Sequence, residues 1–259
     1  MSVYSFSEGS SVAKALGQYV KNKYDAAMAK HGKFTLALSG GSLPKVLAEG
    51  LSQQKNNIDF SKWEVFFADE RIVPLDDENS NYALCKQVLF DALPGFVPEQ
   101  VHTIDTELLK QEPLDAQAFA DEYEKQLVHV FANASTVKVP VFDLMLLGCG
   151  PDGHTCSLFP DHELLEEDVA WVAPVTDSPK PPKERITLTL PVVTHALSVA
   201  FVTTGSSKQD ILPSVIEDST SKLPSALIAR AHPDRVSWFL DDAASAKLDK
   251  SVLRVFPFQ

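Results

Sequence analysis

The stretch Phe34-Thr-Leu-Ala-Leu-Ser-Gly-Gly-Ser-Leu-Pro44 changes character twice within eleven residues, and that change decides the fold. Residues 34–38 are apolar apart from one threonine and suit a short strand. Two glycines then permit a tight turn, and Pro44 suits the first turn of a helix running to about Gly50. Strand, glycine turn and helix in that order make the first part of a βαβ unit, the connection that parallel strands require. Upstream, Val12, Leu16, Val20, Tyr24, Ala27 and Met28 recur at helical spacing over residues 10–31, with Gly32 as a stop.

Downstream the alternation keeps its period. Strands are expected at 64–67, 101–104, 142–147, 185–190, 199–203 and 238–240, and helices near 82–93, 113–131 and 208–216. Runs 142–147 and 199–203 are almost continuously apolar, as strands covered on both faces must be, because neither side of the pleat meets water. The expected fold is α/β, a Rossmann-like doubly wound, mainly parallel sheet with helices on both faces. One stretch, Ser178-Pro-Lys-Pro-Pro-Lys183, could divide two domains. A strand-like run follows it at once, so the chain is expected to be one domain, 1–259, in which this stretch is a long exposed loop and Lys180 and Lys183 are solvated.

The composition agrees with a packed globular protein: 44% of the 259 residues are hydrophobic and 22% charged. The 23 basic and 35 acidic side chains leave a formal charge of −12, which disfavours nucleic acid as a partner but allows a small anion held by a few placed cations. Three cysteines, Cys85, Cys149 and Cys156, form no CxxC pair and suggest a reducing compartment. No segment has the continuous apolar core of a signal peptide or of a membrane span, so a cytoplasmic protein without membrane contact is expected. A monomer or weak homo-oligomer is the expected state.

In a doubly wound sheet the turns that follow the strands emerge along one rim, so four such segments carry the candidate chemistry. Ser39, Gly40, Gly41 and Ser42 lead into a helix N-terminus suited to phosphate; the plainer reading is a tight turn with Ser42 as helix cap. Asp69, Glu70 and Arg71 follow an apolar strand. Arg71 could fork onto an anion and Asp69 could orient a base or a sugar hydroxyl, or the three could form a local charge cluster. Gly148-Cys-Gly-Pro-Asp-Gly-His154 formally satisfies GxGxxG, but Pro160 interrupts the helix a dinucleotide site needs. The better reading is a glycine-shaped loop holding His154 beside Asp152, with an imidazole able to take a proton near neutral pH, although a lone histidine can equally be structural. Thr204-Gly-Ser-Ser-Lys208 offers a further cation, Lys208, and Arg185 offers another. Asp152, His154, Asp161 and His162 lie close in sequence without a metal-ligand spacing, so no metal and no cofactor are expected. Neither a GxSxG elbow nor a P-loop is present.

Taken together and in this order, Ser39 to Pro44, Asp69 to Arg71, Gly148 to Pro160, Ser178 to Thr189 and Thr204 to Lys208 resemble the glucosamine-6-phosphate isomerase/6-phosphogluconolactonase superfamily, in its eukaryotic lactonase form. The resemblance spans most of the chain, to Trp238-Phe-Leu-Asp241. It implies metal-free hydrolysis of 6-phospho-D-glucono-1,5-lactone to 6-phospho-D-gluconate, the second step of the oxidative pentose phosphate pathway, with a phosphorylated sugar lactone as the small-molecule partner. The related deaminases resemble GHxxFNEP after the histidine, whereas this chain reads His154-Thr-Cys-Ser-Leu-Phe-Pro160, which favours the lactonase over the deaminase. Lys183-Glu184 departs from the proline and glutamine expected there. A non-catalytic sugar-phosphate sensor is the alternative from another class. On the lactonase reading His154 activates water, Asp69 or Asp152 orients the ring, and backbone N–H groups at Gly148 to Gly150, or Arg71, face the oxyanion. The phosphate then lies on Gly40, Gly41 and Ser42 with Lys208 and Arg185.

Overall fold

The computed structural model describes residues 1–132 and 137–258. Its strands are β1 (Ser2–Phe6), β2 (Phe34–Leu38), β3 (Trp63–Phe67), β4 (Asp69–Arg71), β5 (Leu144–Leu147), β6 (Val172–Val175), β7 (Arg185–Leu188), β8 (Val199–Thr203), β9 (Val236–Asp241) and β10 (Leu253–Arg254). The helices are α1 (Gly9–Lys30), α2 (Leu43–Ser52), α3 (Asn81–Cys85), α4 (Ala116–Phe131), α5 (Leu190–His195), α6 (Leu212–Ile216), α7 (Pro224–Ala231) and α8 (Asp242–Ser245). Seven strands form one sheet in the order β10-β1-β9-β8-β5-β2-β3, with every pairing parallel.

Strict alternation along these strands loads both faces of the sheet. Leu36, Leu38, Val65, Phe67, Leu144, Leu146, Ala200 and Val202 join the core beneath α1 and α2. Ala37, Phe66, Met145, Leu147, Val199 and Phe201 enter the opposite core with α4 and α7. Two apolar faces account for the missing polar alternation in the sequence. The helices α1 and α2 cross at Gly17 and Gly50, where a Cβ on Gly17 would lie 2.4 Å from Gly50 O. Gly50, expected as a helix stop, is therefore an interior contact that only a bare Cα permits.

Between β2 and β3 the chain winds one way, and from β5 through β8 to β9 it winds the other. The crevice where ligands collect in such sheets thus opens between the carboxyl ends of β2 and β5, the strands that lead into Ser39 and Gly148.

Several expectations need correction. A second sheet, antiparallel and ordered β4-β7-β6, was not anticipated, and Asp69, Glu70 and Arg71 form its strand β4 rather than a turn. The expected strand 185–190 ends at Leu188, because Pro191 opens α5. The segment 101–104 makes only one bridge, Val65 to Val101. Its next carbonyls turn to α4 instead, His102 O accepting from Tyr123 Oη at 3.3 Å and Thr103 O from Gln126 Nε2 at 3.0 Å. The helix expected at 82–93 is α3 followed by a π-helical turn, Lys86–Phe90. That at 208–216 is a 3₁₀ turn, Ser206–Lys208, and then α6, whose Pro213 lacks the N–H needed to continue a helix from upstream. The Pro-rich stretch closes the β6–β7 hairpin, with Val175 opposite Arg185.

Candidate active site

At the crevice lies a cavity of about 270 Å³ lined by Ser39, Gly40, Gly41, Ser42, Asp69, Arg71, Gly148, Gly150, His154, Arg185 and Lys208, along with Asn81, Cys149, Thr155, Cys156 and Thr203. Segments up to 169 residues apart in sequence meet there because the turns after β2, β5 and β8 open on one rim and the antiparallel pair β4 and β7 brings Asp69, Arg71 and Arg185 to it. Of the candidates from the sequence, Asp152, which stands behind His154, and Glu70, which faces the other way, do not line this wall.

Strand periodicity sorts the acidic pair. On β4, Asp69 and Arg71 share one face and Glu70 takes the other. Glu70 is fully buried and accepts hydrogen bonds from the backbone N–H groups of Arg71, Asn81 and Tyr82 and from Ser80 Oγ. Burial pushes its pKa up to about 7, against the lowering effect of the three backbone donors. Its work is to dock the start of α3. Asn81, which the sequence reading missed, is thereby placed to donate from Nδ2 to Asp69 O at 2.8 Å and to lie against Gly40, where a Cβ would come within 1.9 Å of Asn81 Oδ1. Asp69, 5% exposed, accepts from Ser157 Oγ at 2.7 Å. Ser42 does not cap α2 with its side chain.

Two guanidinium groups face each other across the antiparallel pair, Arg71 in register with Arg185. Arg71 donates from Nη1 to Asn79 O at 2.7 Å, while its buried Nε has no protein partner. Arg185 was expected to contact phosphate, but it is 3% exposed and its donors are engaged: Nε to Pro182 O, Nη2 to Lys180 O and Pro181 O, and Nη1 to Ser157 Oγ. It anchors the hairpin loop and lends charge to the cavity wall. Burial and then the neighbouring Arg71 charge press its pKa down, with Asp69 opposing. The Nζ of Lys208, after β8, bonds only Ser207 Oγ, at 3.1 Å, among the described residues.

The loop after β5 curls back on itself through Gly150 N–H donating to His154 O at 2.8 Å and Gly153 N–H to Gly150 O at 3.0 Å. The first of these bonds removes the Gly150 N–H from the oxyanion candidates, a correction that leaves Gly148 and Arg71. The curl also needs a bare Cα at Gly150, since a Cβ would meet His154 Nδ1 at 2.0 Å. His154 Nδ1 pairs with Asp152 Oδ1, and the ring rests beside Phe159 at 5.1 Å between centroids. Burial lowers the His154 pKa below 6.5, Asp152 pulling the other way. Asp152 sits at about 2: burial opposes its ionisation, but the His154 hydrogen bond and the charges of His154 and Lys180 outweigh it. Lys180, expected to be solvated, has Nζ 3.0 Å from His154 Nδ1. Lys183 is exposed as expected.

Cys149 and Cys156 are poor nucleophiles here, burial raising the Cys149 thiol to about 11 and Cys156 well above the ordinary value. His162 has its own partners: its Nε2 lies 3.0 Å from Asp177 Oδ1 and its Nδ1 accepts from Leu164 N–H.

Among the described residues, seven buried side-chain polar atoms lack a protein hydrogen-bond partner, and four belong to this cavity wall: Ser39 Oγ, Arg71 Nε, Thr155 Oγ1 and Thr203 Oγ1. Arg71, Lys208 and several hydroxyl side chains around one cavity, beside a glycine turn at a helix N-terminus, suit a small polyhydroxylated anion.

Comparison with known proteins decides the family. A family model described as glucosamine-6-phosphate isomerases/6-phosphogluconolactonase matches residues 7–238. The chain belongs to this family. Within it, the chain is 76% identical to a probable 6-phosphogluconolactonase of Schizosaccharomyces pombe, over 99% of this chain and 100% of that one. It is 43% identical to a 6-phosphogluconolactonase of Homo sapiens, over 94% and 92%. The solved 6-phosphogluconolactonase from Trypanosoma cruzi has the same family fold, with a TM-score of 0.83 at 27% identity over 95% of this chain and 96% of that one.

Proposed function

We propose that this protein hydrolyses 6-phospho-D-glucono-1,5-lactone to 6-phospho-D-gluconate, with His154 as the general base. The family membership and the lactonase relatives support the reaction. The observation that carries the base assignment is the His154–Asp152 pair at the wall of a cavity rich in cations and unpaired hydroxyls.

With Nδ1–H donated to Asp152, the Nε2 lone pair is free to take a proton, the tautomer being inferred from this neighbour. A water oxygen then bonds to C1 of the lactone while its proton passes to Nε2, and the carbonyl electrons move onto the exocyclic oxygen. As the carbonyl re-forms, the bond from C1 to the ring oxygen breaks and the imidazolium returns its proton to that oxygen. Arg71 or the Gly148 N–H meets the oxyanion. Asp69 orients a ring hydroxyl. The 6-phosphate lies at the start of α2, on the N–H groups of Gly40 and Gly41 and on Ser42, with Lys208 as its counter-charge and Arg185 contributing at longer range. Holding the distant phosphate fixes C1 before the water, which lowers the entropic part of the barrier. The site lies within the single α/β unit, and no nucleic acid, membrane or metal is invoked.

The test is a lactone-hydrolysis assay corrected for spontaneous opening, run on the wild-type protein and on His154→Ala. Lactone opening that vanishes in the variant supports the reading, and a variant with near-normal kcat removes the base role. Release of ammonia from glucosamine 6-phosphate would move the assignment to the deaminase branch of the family.

A further inference from the structure

The loop of residues 178–183 is held on two sides. Arg185 Nη2 donates to Lys180 O at 2.7 Å, and Ser178 Oγ both donates to Lys180 O at 2.8 Å and accepts from Lys180 N–H at 3.2 Å. A pinned main chain delivers the Lys180 side chain to the back of the imidazole. Its Nζ lies 3.0 Å from His154 Nδ1, and 3.4 Å and 3.3 Å from the two Asp152 carboxylate oxygens. One carboxylate therefore serves two basic groups.

The chemistry of the three groups makes this arrangement consequential. An ammonium has three donors and no acceptor, so in the tautomer that leaves Nε2 free, with Nδ1–H turned to Asp152, Nζ makes no hydrogen bond to Nδ1 and acts on the ring through its charge. When Nδ1 is protonated and turned to Asp152, the same 3.0 Å approach sets an N–H against an ammonium. A second proton on the ring then places two full positive charges side by side. Asp152 alone would stabilise the imidazolium; Lys180 beside it withdraws much of that support.

We propose that Lys180 is a positioning residue for His154: by sharing Asp152, its ammonium keeps the imidazole neutral, with its single proton turned to the carboxylate, where the carboxylate alone would favour the doubly protonated ring. This rests on His154 being the base. The other charged groups around the ring are Asp69 on β4, which acts in the same direction as Asp152, and the cavity cations Arg71, Arg185 and Lys208, from β4, β7 and the turn after β8. Lys180 is, among the described residues, the cation within hydrogen-bond distance of the ring.

The experiment compares wild type, Lys180→Met and Lys180→Arg by two readouts. One is an NMR titration of the His154 ring, its resonance identified by its loss in His154→Gln. The other is the pH profile of kcat/KM. In Lys180→Met the ring titration and the acid limb both move up by about one pH unit, a typical effect of a close charge that is partly exposed to water. Activity on that limb falls by about tenfold while the high-pH plateau is kept. Lys180→Arg, which retains the charge, stays near wild type in both. A ring titration that does not move in Lys180→Met, or moves down, overturns the proposal. So does an equal loss at every pH with the limb in place, which would make Lys180 part of the loop architecture alone. A ring titration that moves while the acid limb does not overturns the proposal through the role of His154 as base, leaving the charge coupling itself measured.

Discussion

The two ends of the same parallel strands carry similar side chains in opposite states. At the amino ends of β2, β3 and β5, Asp143 accepts from Thr35 N–H at 2.9 Å and Thr35 Oγ1 at 2.7 Å and lies 2.9 Å from His31 Nε2. Nearby, Glu64 lies 2.9 Å from both Lys33 Nζ and His102 Nε2. These carboxylates have their partners inside the protein. At the carboxyl ends, Ser39, Arg71, Thr155 and Thr203 keep unpaired polar atoms, and Arg71 faces Arg185. A saturated polar cluster holds the chain to itself; an unsaturated one is built for something else.

That contrast can be broken by experiment. At the unsaturated rim, His154→Ala should reduce kcat by about 10²–10⁴-fold with little change in KM or melting temperature, measured by initial rates and thermal unfolding. The same wild-type rates should fall on the acid side through a pKa below 6.5, because the base works only unprotonated and burial lowers that pKa. At the saturated end the pattern reverses. Asp143→Ala strands a buried backbone N–H and should lower the unfolding free energy by about 3 kcal/mol, read from denaturant titration, while the folded enzyme keeps its kcat. Back at the rim, Lys208→Ala should raise KM about tenfold and leave kcat nearly unchanged, since losing one counter-charge weakens the grip on the phosphate while the glycine turn still places C1.

The smallest effect is a pH dependence. Burial works against ionisation of Glu64, but hydrogen bonds and charge from Lys33 and His102 outweigh it and lower its pKa below 4.5. The folded state therefore binds a proton there less readily than the unfolded chain does. Its stabilising contribution is in place above pH 4.5 and is lost as pH falls through the lower folded value. The stability gap between wild type and Glu64→Gln, under about 1 kcal/mol for so exposed a lysine partner, should close over that acid range. A gap that widens on acidification would contradict the assignment.

The sequence was most informative where one local rule suffices. Two-sided apolar runs marked β5 and β8, a short apolar run before a glycine turn marked β2, helical spacing marked α1, and strand-end glycines marked the rim that the cavity occupies. It failed where pairing is non-local. Asp69 to Arg71 is three residues long and charged, and becomes a strand only because β7 arrives 114 residues later to pair with it. The chain at 101–104 has strand-like residues, yet α4 claims two of its carbonyls. The alternation of β4, with Glu70 turned inward, could have signalled that the two acids serve different ends.

What the residues determined unaided is the parallel sheet, through the period and burial of its strands, and a rim of glycines, hydroxyls and cations after them. What only the folded chain decided is how each polar group is used: Gly150 N–H is closed into its own loop, Arg185 is committed to a hairpin, and Lys180 is carried from a Pro-rich stretch to His154. Hydrogen-bond partners and charge neighbours are set by approach in space, and groups separated by tens of residues have no local pattern from which that approach can be read.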